Sequence, residues 1–260
     1  MMKKLIAAAT LAALFSTGAA FAETKKVGVT PGPHAQLVEK VKEVAAKKGL
    51  ELDIVEFSDY VVPNQALSDG DIDINSFQHQ PYLDNQVKER GLDLVSVAQS
   101  VNFPMAGYSK KIKALSELKD GASVSIPNDP SNGARALLLL ADQKLITLKD
   151  GIGVKASVAD ITENPKNLNI LELDAAQLPR SLDDVDLAAI TTNYALAAGL
   201  NPKSDGIFQE STKAPYVGVI AVRAKDKDAD WVKTFVESYH SAEVKAFIEE
   251  KFKGAITPTW

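Results

Sequence analysis

Short β-rich runs alternate with longer stretches of helical spacing along most of this chain, and that alternation limits its fold more than any other feature. Lys26-Val27-Gly28-Val29-Thr30 is β-rich, and Pro31-Gly32-Pro33 breaks it. Over residues 34–48, Leu37, Val41, Val44 and Ala45 recur at three- and four-residue steps, the spacing of an amphipathic helix. Gly49 is placed to cap it. Residues 50–57 return to strand, and Ser58 or Asp59 can cap a short helix carrying Gln65 to Leu67. Residues 70–77 then read as strand, 81–90 as helix and 92–99 as strand. Alternation in this order predicts an α/β fold with a largely parallel sheet.

A second unit begins around residues 108–112. Ser123-Val124-Ser125-Ile126-Pro127 is a strand, an apolar helix starts near Ala134, and residues 169–173 and 187–192 supply further strands. Leu67-Ser68-Asp69-Gly70-Asp71-Ile72-Asp73 is echoed by Leu182-Asp183-Asp184-Val185-Asp186. Each is an acidic turn entering an apolar strand, followed by Asn75 with Phe77 and by Asn193 with Tyr194. Two comparable strand ends facing each other make a cleft, since ligands of open α/β sheets bind outside the carboxyl ends of strands. Ala214-Pro215-Tyr216 reads as a second crossover, residues 217–222 as a strand, and residues 230–252 as one or two amphipathic helices returning to the first lobe. The expected division is residues 1–22, 23–109 (lobe I), 110–213 (lobe II) and 214–260 (return to lobe I).

Lys3 and Lys4, an apolar run over residues 5–15 and Ala20-Phe21-Ala22 have the order of a secretory signal peptide, with Glu23 as the first mature residue. The apolar run is shorter than the roughly 20 residues a membrane span needs. The chain has no Cys. That excludes disulfides, thiol catalysis, thiolate metal sites and attachment of lipid to a Cys. The net charge is −5; loss of Lys3 and Lys4 leaves 27 basic against 34 acidic side chains, or −7. Such a balance disfavours nucleic acid and anionic membrane surfaces as partners.

Catalytic patterns are scarce. His34, His79 and His240 are scattered, without metal-ligand spacing, and neither a G-x-S-x-G elbow nor a phosphate-binding loop occurs. Ser116-Glu117-Leu118-Lys119 matches S-x-x-K but lacks its companion motifs, and reads as a capped helical turn. No cofactor or metal is expected.

Two segments concentrate polar and aromatic side chains at strand ends. In Asn75-Ser76-Phe77-Gln78-His79-Gln80-Pro81-Tyr82-Leu83, Phe77 and His79 point the same way on an extended stretch, and Tyr82 can close over the same spot. Either these rings fill core, or they form an aromatic wall with a hydrogen-bonding edge. In Asn128-Asp129-Pro130-Ser131-Asn132-Gly133-Ala134-Arg135, a strand runs into a helix N-terminus, where amide groups and the helix dipole favour an anion. Arg135, read as a first-turn residue, needs a compensating carboxylate. That partner is either an ordinary Asp or a bound ligand. Aromatic wall and arginine together suit a small zwitterion with an apolar side chain.

These strings, with Ile190-Thr191-Thr192-Asn193-Tyr194-Ala195, resemble the NlpA family of solute-binding proteins, and among them its methionine-binding members. The resemblance spans residues 25–260. It implies a two-lobed periplasmic-binding fold of type II kind that closes on methionine, with hinges near Tyr108 and Tyr216. It assigns Arg135 to the α-carboxylate and Asn193 to the polar end of the amino acid. Tyr60, Phe77, His79 and Tyr82 would surround the thioether, and Asn128 would line the site. It also implies the permease and ATPase subunits of an ABC importer as partners, and a monomeric binder without catalytic activity. A methionine-containing dipeptide or another apolar amino acid is the alternative ligand, and a secreted enzyme on the same fold the alternative from another class. Many members carry a lipid-bearing Cys; this chain has none, so the expected form is free in the periplasm.

Overall fold

The run Lys25–Val29 forms strand β1, followed by β2 (Leu52–Glu56), β3 (Ile74–His79) and β4 (Leu94–Asn102). A second group comprises β5 (Ala106–Tyr108), β6 (Ser123–Pro127), the short β7 (Thr147–Leu148) and β8 (Ile161–Glu163), β9 (Asn169–Leu173), β10 (Leu187–Ile190) and β11 (Phe208–Gln209). The chain then returns with β12 (Val217–Arg223) and ends with β13 (Thr257–Pro258). Between them lie α1 (Pro33–Ala46), α2 (Val62–Asp69), α3 (Gln80–Arg90), α4 (Pro130–Asp142), α5 (Leu178–Ser181), α6 (Thr192–Ala197), α7 (Asp230–Tyr239) and α8 (Ala242–Phe252). This computed structural model describes residues 24–211 and 214–260; the expected signal peptide, residues 1–22, lies outside them.

Two sheets organise the strands. The first has the order β13-β4-β12-β3-β1-β2 and the second β11-β5-β10-β6-β9. β1 runs parallel to β2 and β3, while the returning β12 inserts antiparallel between β3 and β4. In the second sheet β6 is parallel to β9 and β10, and β5 is antiparallel to β10. The architecture is thus a mixed, mostly parallel α/β fold in two lobes. Each sheet is covered on both faces. Leu37, Val38, Val41 and Val44 of α1 pack with Phe235 and Tyr239 of α7 on one side of the first sheet, and Leu67 and Leu83 of α2 and α3 on the other. Burial of such apolar faces, at about 25 cal/mol per Å², is what holds a chain without disulfides together.

The strand echo corresponds to one structural device used twice. Asp73 enters β3 and accepts the Lys26 N–H at 2.9 Å; Asp186 enters β10 and accepts the Ser123 N–H at 2.8 Å. Each Asp pins the start of its strand to the neighbouring parallel strand, so these acids are strand anchors and not the loose turn residues their sequence context suggests. The lobe boundary also moves. Residues 106–108, which the sequence reading left in lobe I, pair with β10 and β11 in the second sheet. The chain therefore changes sheets at residues 103–105, before Tyr108, and Tyr108 lies buried inside the second sheet at 1 % exposure rather than at a hinge.

Candidate functional site

The carboxyl ends of β3 and β10 meet across a cavity between the lobes. β3 delivers Phe77 and His79, and the first turn of α3 delivers Tyr82. The loop after β2 contributes Tyr60. Its ring centroid lies 6.0 Å from Phe77 and 5.9 Å from Tyr82, and Phe77 and Tyr82 meet edge to face at 6.0 Å. The three rings form one wall with a hydroxyl at its rim. From the second lobe come Asn132 and Arg135 of α4, Thr191 after β10, and Asn193 in the first turn of α6.

Hydrogen bonds cross from lobe to lobe. Tyr60 Oη donates to Asn193 Oδ1 at 2.6 Å and lies 3.0 Å from Thr191 Oγ1. Tyr194 Oη donates to the Ser58 carbonyl at 3.0 Å. His79 Nδ1 accepts the Tyr82 backbone N–H as the N-cap of α3, which leaves the ring proton on Nε2, 3.0 Å from Asn132 Oδ1. Asn132 Nδ2 in turn donates to Asp129. Burial and then the nearby Arg135 charge depress the His79 pKa to about 3, so the ring is neutral and this relay is intact at neutral pH. Burial pushes the Tyr60 hydroxyl well above its usual range, which keeps it a donor.

Arg135 is 3 % exposed. Nε donates to Glu210 Oε1 at 2.9 Å and Nη2 to Glu210 Oε2 at 2.5 Å. Nη2 also donates to the Phe103 carbonyl at 2.8 Å, and the guanidinium lies 4.4 Å from the centroid of the Tyr216 ring. Glu210 further accepts the Met105 N–H. One guanidinium thus joins α4 to both chain passages between the sheets, through the Phe103 carbonyl and through Glu210 and Tyr216. A buried charge of this kind is tolerated only when paired and hydrogen-bonded, and Glu210 supplies that pairing from within the chain.

The sequence model of the NlpA lipoprotein family matches residues 26–260. This chain belongs to the NlpA lipoprotein family. An NlpA-family relative from Salmonella typhimurium, named D-methionine-binding lipoprotein MetQ, is 54% identical over 238 residues, covering 90% of this chain and 88% of its own. The Escherichia coli K12 protein of the same name is 53% identical over the same coverage. Among solved structures, a nutrient-binding protein from Burkholderia cenocepacia bound to methionine superposes with a TM-score of 0.89 at 55% identity, covering 91% of this chain and 100% of the other.

In this NlpA-family chain, six of the seven residues singled out from sequence line the one cavity: Tyr60, Phe77, His79, Tyr82, Arg135 and Asn193. Asn128 does not. It is exposed, its N–H bonds the Leu173 carbonyl, and Asn132 takes the inward place. The cause is the start of α4. The helix begins at Pro130 and not near Ala134, with Asp129 as N-cap accepting the Asn132 N–H. The helix N-terminus is therefore satisfied by the protein's own carboxylate, and Arg135 sits in the second turn, braced by Glu210. Sequence reasoning also missed His34, Thr191, Phe103, Glu210 and Tyr216. Thr191 and Tyr216 stood within strings already singled out; nothing local marks Glu210, 75 residues from its partner.

Proposed function

We propose that this protein is the solute-binding component of an ABC importer and that its cargo is methionine. The observation that carries this reading is the two-ended cavity, with Arg135 at one pole and the rings of Tyr60, Phe77 and Tyr82 at the other. A thioether is polarisable and packs well against aromatic edges. The α-carboxylate suits the guanidinium edge left by Glu210, while Asn193 and Thr191 join the Tyr60 hydroxyl at the aromatic end. His79 closes the aromatic wall and carries the bond to Asn132. The relatives named as D-methionine-binding and the neighbour bound to methionine support the same cargo.

Isothermal titration calorimetry on protein unfolded and refolded to strip carried ligand tests this, with L-methionine, D-methionine, glycyl-methionine and leucine as titrants. One-to-one binding of a methionine enantiomer, lost in Arg135→Ala and weakened in Phe77→Ala with the fold intact by circular dichroism, is the expected result. Binding of only the dipeptide or leucine would move the cargo, and heat from none of the four would sink the assignment.

On this reading the binder acts without catalysis, as a monomer, and hands its cargo to membrane permease and ATPase subunits. Its two lobes are the moving bodies, and they bend at residues 103–105 and near Tyr216. Residues 1–22 are removed as a signal peptide, and the mature chain is free in the periplasm. Relatives are named lipoproteins, whereas these 260 residues contain no Cys to carry a lipid. Among the described residues no helix is long and apolar enough to cross a membrane. Release by osmotic shock, with an intact-mass measurement giving an unmodified N-terminus at Glu23, is the expected outcome; retention in the membrane fraction would contradict it.

A further inference from the structure

Residues 103–105 carry the chain from the first sheet to the second, and the stretch of β4 just before them is irregular. β4 advances three residues, from Gln99 to Asn102, while β12 advances two, from Val219 to Val217. The extra residue makes a bulge, which interrupts the ladder between the two strands. The bulge closes tightly on Gly218, where a Cβ would lie 2.5 Å from Ser100 Oγ and 2.6 Å from the Val101 carbonyl oxygen. Backbone left out of a ladder needs other partners when it is buried, and Ser100 and Val101 are buried.

Those partners come from the other edge of β4. β13 pairs there antiparallel, with Thr257 opposite Asn102 and Pro258 opposite Val101. Thr259 Oγ1 donates to the Ser100 carbonyl at 2.8 Å. His240, the C-cap of α7, donates from Nε2 to the Gln99 carbonyl at 2.8 Å. Trp260 stacks on His240 with ring centroids 4.7 Å apart and meets Tyr239 edge to face at 5.6 Å. Each residue from Gln99 to Asn102 thus meets one of these partners. One residue further on, the Phe103 carbonyl accepts Arg135 Nη2 from the second lobe. The first lobe therefore grips the backbone as far as Asn102, and the second lobe grips it from Phe103.

We infer that residues 257–260, together with His240, are a clamp on the hinge, which confines bending to the residues beyond Asn102 and so sets how readily the lobes close. This rests on the reading of the protein as a binder that opens and closes. Neither His240 nor any of residues 257–260 is among the described residues that line the cavity, so the clamp acts without touching the ligand. Fixing a backbone segment costs it conformational entropy. With the clamp in place the open form has few conformers. Without it, residues 99–102 can leave the sheet, and the open form gains conformers. The closed form gains none, because the bonds of Tyr60 to Asn193 and of His79 to Asn132 still fix it. The fraction of molecules ready to close on ligand falls, and the apparent Kd rises by the same factor.

Inter-lobe distances measured by pulsed electron spin resonance, with calorimetry on the same proteins, test the inference. The chain has no Cys, so Lys88→Cys and Lys155→Cys, exposed positions on the first and second lobes, take spin labels at those two places alone. Deletion of residues 257–260 should broaden the distance distribution of the ligand-free protein, leave the methionine-saturated distribution as it was, and raise the Kd for methionine about tenfold. Trp260→Ala, which keeps β13 and loses the ring packing, and His240→Phe, which keeps the stack and loses the bond to Gln99, should each give the same changes at smaller amplitude. These point variants carry the test if the deletion does not fold. An unaltered ligand-free distribution would overturn the inference, even with a lower melting temperature or a weaker Kd, since a merely structural segment has those effects. An altered methionine-saturated distribution would overturn it too, because the segment would then be shaping the lobe and not its hinge. Labelled protein with residues 257–260 in place that neither binds methionine nor changes its distances refutes the function itself, before any variant is compared.

Discussion

Arg135 holds a full charge at 3 % exposure, and Glu210 is what makes that position tenable. Removing one partner of a buried pair costs more than the pair contributes, about 3–5 kcal/mol, because the other charge is left unmatched. Glu210→Gln should therefore lower stability by about that amount in urea titrations. It should weaken ligand binding too, since the guanidinium loses its brace. The two cavity histidines make a second prediction. Folding lowers the pKa of His34 and of His79 from 6.5 to about 3. Between those values the unfolded chain takes up protons that the folded chain refuses, so stability is full above about pH 6.5 and declines as pH falls towards 3. Denaturation at a series of pH values should show this slope, and it should be shallower in His79→Gln. At this scale the sequence was legible where function and chemistry share a short string, as in Phe77, His79 and Tyr82. Glu210 was not, because an ion pair between residues far apart in the chain leaves no periodicity to read. His34 figured only among the scattered histidines and at the opening of a helix, since nothing local tells which way its ring turns.

Strands and helices were read more completely than their ends. Hydrophobic spacing located β1, β6, β9 and α1 with little error, because each has an apolar face whose burial dictates its period. The start of α4 was placed one turn late, since Asp129-Pro130-Ser131-Asn132 reads equally as a turn; only the N-cap bond from the Asn132 N–H identifies the first helical residue. That one turn exchanged Asn128 for Asn132 in the site. The Asp73 and Asp186 anchors show how a strand end is fixed. Asp186→Ala would leave the Ser123 N–H and Oγ without their acceptor and should cost about 1–3 kcal/mol, read as a lower denaturation midpoint at unchanged slope. Gly107 in β5 answers to a different constraint, because a Cβ there would overlap the Phe208 ring of β11. Gly107→Ala should destabilise by about 1–3 kcal/mol.

Across the whole molecule, the lobes are joined by polar bonds at the cleft as well as by two chain crossovers. The two-lobed plan was visible in the strand echo and in the returning C-terminal segment, but the crossover was misplaced, since a three-residue strand such as Ala106–Tyr108 has no pattern of its own. Tyr194→Phe deletes only the bond to the Ser58 carbonyl, worth about 1 kcal/mol. It should speed ligand dissociation by about fivefold in stopped-flow measurements and leave association nearly unchanged. The closed cleft has a kinetic consequence. With Tyr60 bonded to Asn193 and His79 to Asn132 across the seam between the lobes, cargo and lining cannot part until those bonds break together. Departure is then a first-order event paced by the seam, and a flood of competing solute outside can occupy emptied molecules without hastening the exit of a single captive. A body that grips both lobes and pulls them apart would shorten the wait.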